Sequence, residues 1–112
     1  MLRRPSEYER LLYRAASGRT APFCLILRWP LWWRRFRGVA LGWLILVEDD
    51  SDPLLVCHEI AHVAQFRADP LRFWFRYFRE LARVGYTNNR YERQARAIEA
   101  RVGRMLALNV RS

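Results

Sequence analysis

Two Asp–Pro pairs, Asp52–Pro53 and Asp69–Pro70, bracket the segment that most constrains this chain. Asp at an N-cap followed by Pro at the first helical position starts a helix strongly: the carboxylate accepts exposed amides, and proline lacks its N–H where none is needed. The pairs predict one helix from 53 to about 68 and a second from 70 to about Val84, with Gly85 as its stop. The first carries Leu54, Leu55, Val56, Ile60, Ala61, Val63 and Phe66, so it is apolar nearly all round and belongs in a core. Yet it also holds the run HEIAH, which contains both histidines of the chain, His58 and His62, and Glu59.

Residues four apart on a helix share a face, so His58 and His62 project two imidazoles to one side. Zinc accepts imidazole nitrogen, and two ligands on one helix lose little entropy on binding. Glu59 is rotated about 100° from His58, beside the ion rather than on it. There it could take a proton from a water that zinc has acidified to a pKa of about 7. Two His and a Glu at this spacing arise by chance in a chain this long with odds on the order of one in a few hundred. Ordinary core histidines are the competing reading, but buried polar groups without partners cost on the order of several kcal/mol, and a metal is a partner.

An α+β fold is expected around this helix. Ser6 and Glu9 make a capping-box pattern for a helix over 6–17, with Leu11, Leu12 and Ala15 as its apolar stripe and Gly18 as its end. Phe23 to Trp29 reads as a strand stopped by Pro30, and Gly38 to Val47 as a second strand, apolar on both faces. Asn88 or Asn89 can cap a last helix from about 90 to 108, with Tyr91, Ala95, Ile98, Val102 and Met105 as its core stripe. The sheet should have two or three strands.

An open zinc site usually has three protein ligands. No other His exists, and position 68, where a longer motif would place one, is Ala. Among the later acids, Asp69 is explained as a cap and Glu80 lies near Arg76 and Arg83, leaving Glu92 and Glu99 at one edge of the last helix's core stripe. Either could turn inward, and either could pair with Arg96 on the surface. Tyr86 and Tyr91 flank Glu92; a hydroxyl there could stabilise an oxyanion, with Tyr86 the better placed.

HEIAH followed by VAQF resembles the active-site helix of bacterial gluzincin-like peptidases, including small ones with an HExxHxxQ pattern. In that group the third ligand is a Glu on a later helix, and in membrane-embedded members it opens an E-x-x-A-D pattern. Glu92 to Ala95 match E-x-x-A, but Arg96 stands where that pattern has Asp, so the supporting carboxylate has no counterpart there. The likeness covers roughly residues 38 to 100. It implies one zincin-like domain over 1–112, with His58, His62 and Glu92 as zinc ligands and Glu59 as catalytic base. Gly38 to Val47 would be the cleft edge that pairs with an extended peptide.

The function expected is thus zinc-dependent hydrolysis of a peptide or protein. The alternatives are a non-catalytic zinc-binding interaction module, or a metal-free basic adaptor for membrane surfaces or nucleic acid. The net charge is +9, and all twenty basic residues are Arg, a bias that a GC-rich genome would produce. Arg72, Arg76, Arg79 and Arg83 form one stripe on the second helix, opposite Leu71, Trp74, Phe75, Phe78, Leu81 and Ala82. That apolar face belongs in the core or on an anionic membrane. The run 27–37, with Trp29, Trp32 and Trp33 beside Arg34, Arg35 and Arg37, suits a headgroup region or a small aromatic core. No nucleic-acid motif is present. The longest uncharged apolar run has ten residues, against the roughly 20 a spanning helix needs. Two cysteines, Cys24 and Cys57, and no visible secretory signal point to a reduced, cytoplasmic setting, with peripheral membrane contact open.

Overall fold

A computed structural model describes residues 2–29 and 37–111, with side chains to residue 108. The architecture is α+β, with four helices on a four-stranded mixed sheet. The expectations for Trp32, Trp33, Arg34 and Arg35 lie outside the described residues.

Helix α1 (Glu7–Ser17) begins at a complete capping box: the Ser6 hydroxyl accepts from the Glu9 amide, and Glu9 accepts from the Ser6 amide. Gly18, at φ +76°, ends it by donating its N–H to the Arg14 carbonyl. The buried face is Glu9, Leu12, Tyr13 and Ala16, whereas Leu11 and Ala15 are exposed. The expected stripe was one position out because Glu9 turns inward. Both its oxygens accept from the Arg3 guanidinium at 2.8 Å, which ties the short strand β1 (Leu2–Arg3) to the helix.

Strand β2 (Leu25–Arg28) lies inside the expected segment. The apolar run 38–47, however, is two strands, β3 (Gly38–Leu41) and β4 (Leu44–Val47), joined at Gly42 and Trp43. Gly42 takes φ +69° and Trp43 does not have positive φ, as in a two-residue hairpin turn with glycine first. An unbroken apolar run has no period that could reveal such a turn. The sheet order is β1-β2-β4-β3, with β2 and β4 parallel in the middle and β3 at an edge. Ile26, Ile45 and Val47 on the central strands are fully buried.

Helix α2 (Pro53–Ala68) has the expected bounds. Asp52 accepts from the Leu54 and Leu55 amides, and Pro53 occupies the first turn. It packs most extensively on α4 (Arg90–Arg111) and also touches the sheet, α1 and α3. Helix α3 (Phe73–Asn88) starts three residues later than expected. Asp69 ends α2 instead, and its carbonyl rather than its carboxylate accepts from the Phe73 amide, at 2.9 Å. Proline 70 disfavours the helical region for Asp69, so the chain turns before it rewinds. Gly85 breaks α3 as expected, at φ +80°, and one further turn follows. Phe73 is the one described α3 residue that is buried, so most of its apolar face lies outside the core. Asn89 caps α4 by accepting from the Tyr91 amide.

Both cysteines are free and buried. Among the described residues, no helix is long and apolar enough to cross a membrane.

Candidate metal centre

His58 and His62 stand one turn apart on α2, with ring centroids 5.1 Å from each other. Their Nε2 atoms converge on one oxygen of Glu92, which enters from the first turn of α4 at 3.3 Å from His58 and 3.1 Å from His62. One donor atom from each of the three residues lies within 4.8 Å of the others, so His58, His62 and Glu92 form a group able to bind a metal ion. Of the two acids the sequence left open, Glu92 is the one that joins the histidines as a possible ligand.

Glu99, two turns further along α4, has a different place. Its Oε1 lies 2.7 Å from His58 Nδ1. His62 Nδ1 faces Gln65 Oε1 at 2.8 Å. The orientation of that amide is set by its other end: Gln65 Nε2 donates to the Tyr91 carbonyl, which can only accept, at 2.9 Å, and to Gln94 Oε1 at 2.8 Å. Each Nδ1 therefore faces an acceptor and carries a proton. A neutral ring then presents Nε2 as a lone pair, and both lone pairs point at a carboxylate oxygen. Such a trio holds together around a cation, or around protons on both rings.

Protons on the rings can hold the group together without a metal. Burial, the largest single influence, pulls both histidine pKa values down, but hydrogen bonds donated to Glu92 and nearby carboxylate charge outweigh it and leave them raised. Burial also opposes ionisation of Glu92, yet hydrogen bonds from the two histidines and from Tyr77 hold it well below the usual carboxylate range. The Tyr77 hydroxyl donates to Glu92 Oε2 at 2.5 Å. With one oxygen tied to a phenol, Glu92 has the other for the histidines or an ion. This outer shell of Glu99, Gln65 and Tyr77 is what a metal-binding histidine or carboxylate ordinarily needs, and the residues present fit a metal ion.

Glu59 is buried one residue from His58, and its pKa is raised by burial, partly offset by the two histidines. No hydrogen bond among the described residues engages its carboxylate. It lines a cleft of about 470 Å³ with Arg37, Gly38, His58, Tyr86 and Glu99. A second cleft, of about 410 Å³, continues past His62 between β3 and Trp74, Tyr77 and Leu81 of α3. The two share Gly38, His58, Glu59 and Tyr86, making one groove along the sheet edge. Gly38 allows β3 this close: a Cβ there would stand 3.2 Å from Glu59 Cγ and Oε2 and from Leu55 Cδ1.

Tyr86 lies just beyond the Gly85 break and lines both clefts. Its pKa is pushed up to about 12 by burial and by the charges of Glu92 and Glu59, so it is a neutral phenol at working pH. Tyr91 packs instead against Phe73 and Tyr77 and lends its carbonyl to Gln65. The surface pairing of Arg96 with Glu92 or Glu99 is not formed; its guanidinium donates to the Thr87 carbonyl. Arg76 pairs with Asp69 rather than with Glu80. Sequence reasoning missed Tyr77, the supporting role of Glu99, and Gly38. Gln65, three residues past His62, carried a local signal in its spacing; Tyr77 carried none. Comparison with protein-family models, with curated proteins and with solved structures gives no match.

Proposed function

We propose that this protein is a zinc-dependent peptide hydrolase whose centre is His58, His62 and Glu92. The observation that carries the reading is the orientation of the donors: both Nδ1 atoms face acceptors, both Nε2 atoms face one carboxylate oxygen, and the Glu59 carboxylate, which no hydrogen bond among the described residues engages, lines the same groove. Two imidazole nitrogens and one carboxylate oxygen, with no thiolate among them, suit zinc with an open position. Zinc, when bound, polarises a carbonyl and acidifies water.

The chain's residues supply the rest. Glu99 and Gln65 keep the imidazoles in the tautomer that exposes Nε2, and Tyr77 holds Glu92 at its second oxygen. Glu59 accepts a proton from the attacking water at its carboxylate and returns it to the leaving amine nitrogen. Tyr86, protonated, donates to the oxyanion that develops on the scissile carbonyl. β3, an edge strand of the described sheet, offers main-chain hydrogen bonds to an extended peptide lying in the groove.

A peptide-library digest with zinc-loaded wild type and Glu59→Gln tests this. Cleavage by wild type, with loss of most activity and unchanged zinc content in the variant, is the expected result. Stoichiometric zinc without any cleavage by wild type would move the centre to a non-catalytic binding module.

A further inference from the structure

Helix α3 is attached to the body by a narrow face: Phe73 is buried, and Tyr77 reaches Glu92. The opposite side is exposed. Leu71, in the turn before the helix, Phe75 and Phe78 are 96%, 71% and 56% exposed. Leu71 and Phe75 line neither cleft beside the metal group, so a peptide in the groove would leave both in water. Along the border of this apolar face run Arg72, Arg76, Arg79 and Arg83, all exposed. The apolar surface continues across the groove mouth. Leu41 and Trp43 at the β3–β4 turn are about half exposed, and Gly42 between them sits against Phe66, whose ring is 6.4 Å from that of Trp74.

We propose that α3 and the β3–β4 turn dock this protein on an anionic bilayer surface. Leu71, Phe75 and Phe78 enter the boundary between headgroups and acyl chains, Trp43 lies at headgroup level, and the four arginines meet lipid phosphates. An exposed apolar helix face bordered by arginine is the pattern of an interfacial helix, and tryptophan is at home in the headgroup layer. Charge selects the occupant. The chain carries +9, which draws it to an anionic leaflet and works against a second copy of itself on the same face. Each arginine near such a leaflet strengthens binding roughly fivefold. The contact is interfacial, since no described helix can span a bilayer. Because α3 also walls the groove, docking would bring the groove mouth to the lipid surface.

The test is co-sedimentation of the whole protein with vesicles of two parts phosphatidylcholine to one part phosphatidylglycerol, against pure phosphatidylcholine. Wild type should bind the anionic vesicles and bind the neutral ones far more weakly. Arg72→Gln with Arg76→Gln, Arg79→Gln and Arg83→Gln should weaken anionic binding at least roughly twentyfold, allowing for partial screening. Leu71→Ser with Phe75→Ser and Phe78→Ser should weaken it at least tenfold, judged from ~0.8 kcal/mol per buried methylene, and circular dichroism should show both variants folded at the assay temperature. Wild type left in the supernatant at millimolar lipid would overturn the proposal, as would full binding by either variant. A dimer in sedimentation velocity that the serine variant abolishes, without lipid binding, would assign the face to a second copy instead.

Discussion

Glu99→Gln and Glu92→Gln should part sharply in their effect on zinc. Among the described residues, Glu99 hydrogen-bonds the far nitrogen of His58, at 2.7 Å, and its side chain is 41% exposed. Glutamine there can still accept from Nδ1, so the tautomer survives and only the charge assistance is lost. Supporting partners of metal-bound histidines are commonly worth about 10- to 100-fold in affinity. Solvent screening at a position this exposed puts the expected loss near the lower bound, about tenfold. Glu92 is 5% exposed, is held by Tyr77 and meets both histidines. Removing one member of a buried charged group costs roughly 3–5 kcal/mol, a factor of hundreds to thousands. Titration of metal-stripped protein against a chromophoric zinc chelator at one fixed pH reads both losses, and circular dichroism checks that each variant folds. A larger loss in Glu99→Gln than in Glu92→Gln, or none in Glu92→Gln, would refute the assignment of ligand and supporter.

Glu59→Gln should fold and bind zinc as wild type does while losing at least roughly 100-fold in cleavage rate, the usual worth of a general base; retained cleavage would remove Glu59 from the reaction. The raised pKa values of His58 and His62 make the metal-free protein's gain from these protons complete below their ordinary value and lost as pH rises through the raised ones. Zinc must displace those protons, so its effect on the melting temperature should be larger at pH 8 than at pH 6, and a pH-independent effect would contradict this. Gly38→Ala should cost about 1–3 kcal/mol, because its Cβ would crowd Glu59 and Leu55 at 3.2 Å; denaturant unfolding measures it, and an unchanged midpoint would show that the groove wall yields. Burial pushes the Cys24 and Cys57 thiols up to about 11 and about 12, so a thiol-reactive disulfide should modify neither in native protein and both in denaturant.

Where the physics was local, the sequence was enough. The start of α2 follows from Asp52 and Pro53, which act on amides two and three residues away, and its end from Pro70, which turns the chain at Asp69. The Ser6–Glu9 box and the Gly18 and Gly85 breaks are likewise written within one helical turn. So is the convergence of His58 and His62, which needs only a helix between them. The edge of the sheet was less legible. Leu41 and Leu44 pair across a glycine turn, but a continuous apolar run looks the same whether it is one strand or a hairpin, and only its neighbours in the sheet decide.

What tertiary structure alone decided is the division of labour around the two rings. Glu92 and Glu99 lie two turns apart on one face of α4, and no local rule separates a ligand from a supporter. The packing of α4 against α2 sets one at Nε2 and the other at the far nitrogen of His58. Tyr77 comes from a third helix, and it meets Glu92 because Phe73 anchors α3 over the site. The exposed face of α3 was undecided for the same reason: its arginines and aromatics form the same amphipathic pattern whether the apolar side meets a core or a membrane. A pattern in sequence encodes which side chains share a face; what that face meets depends on how distant elements pack.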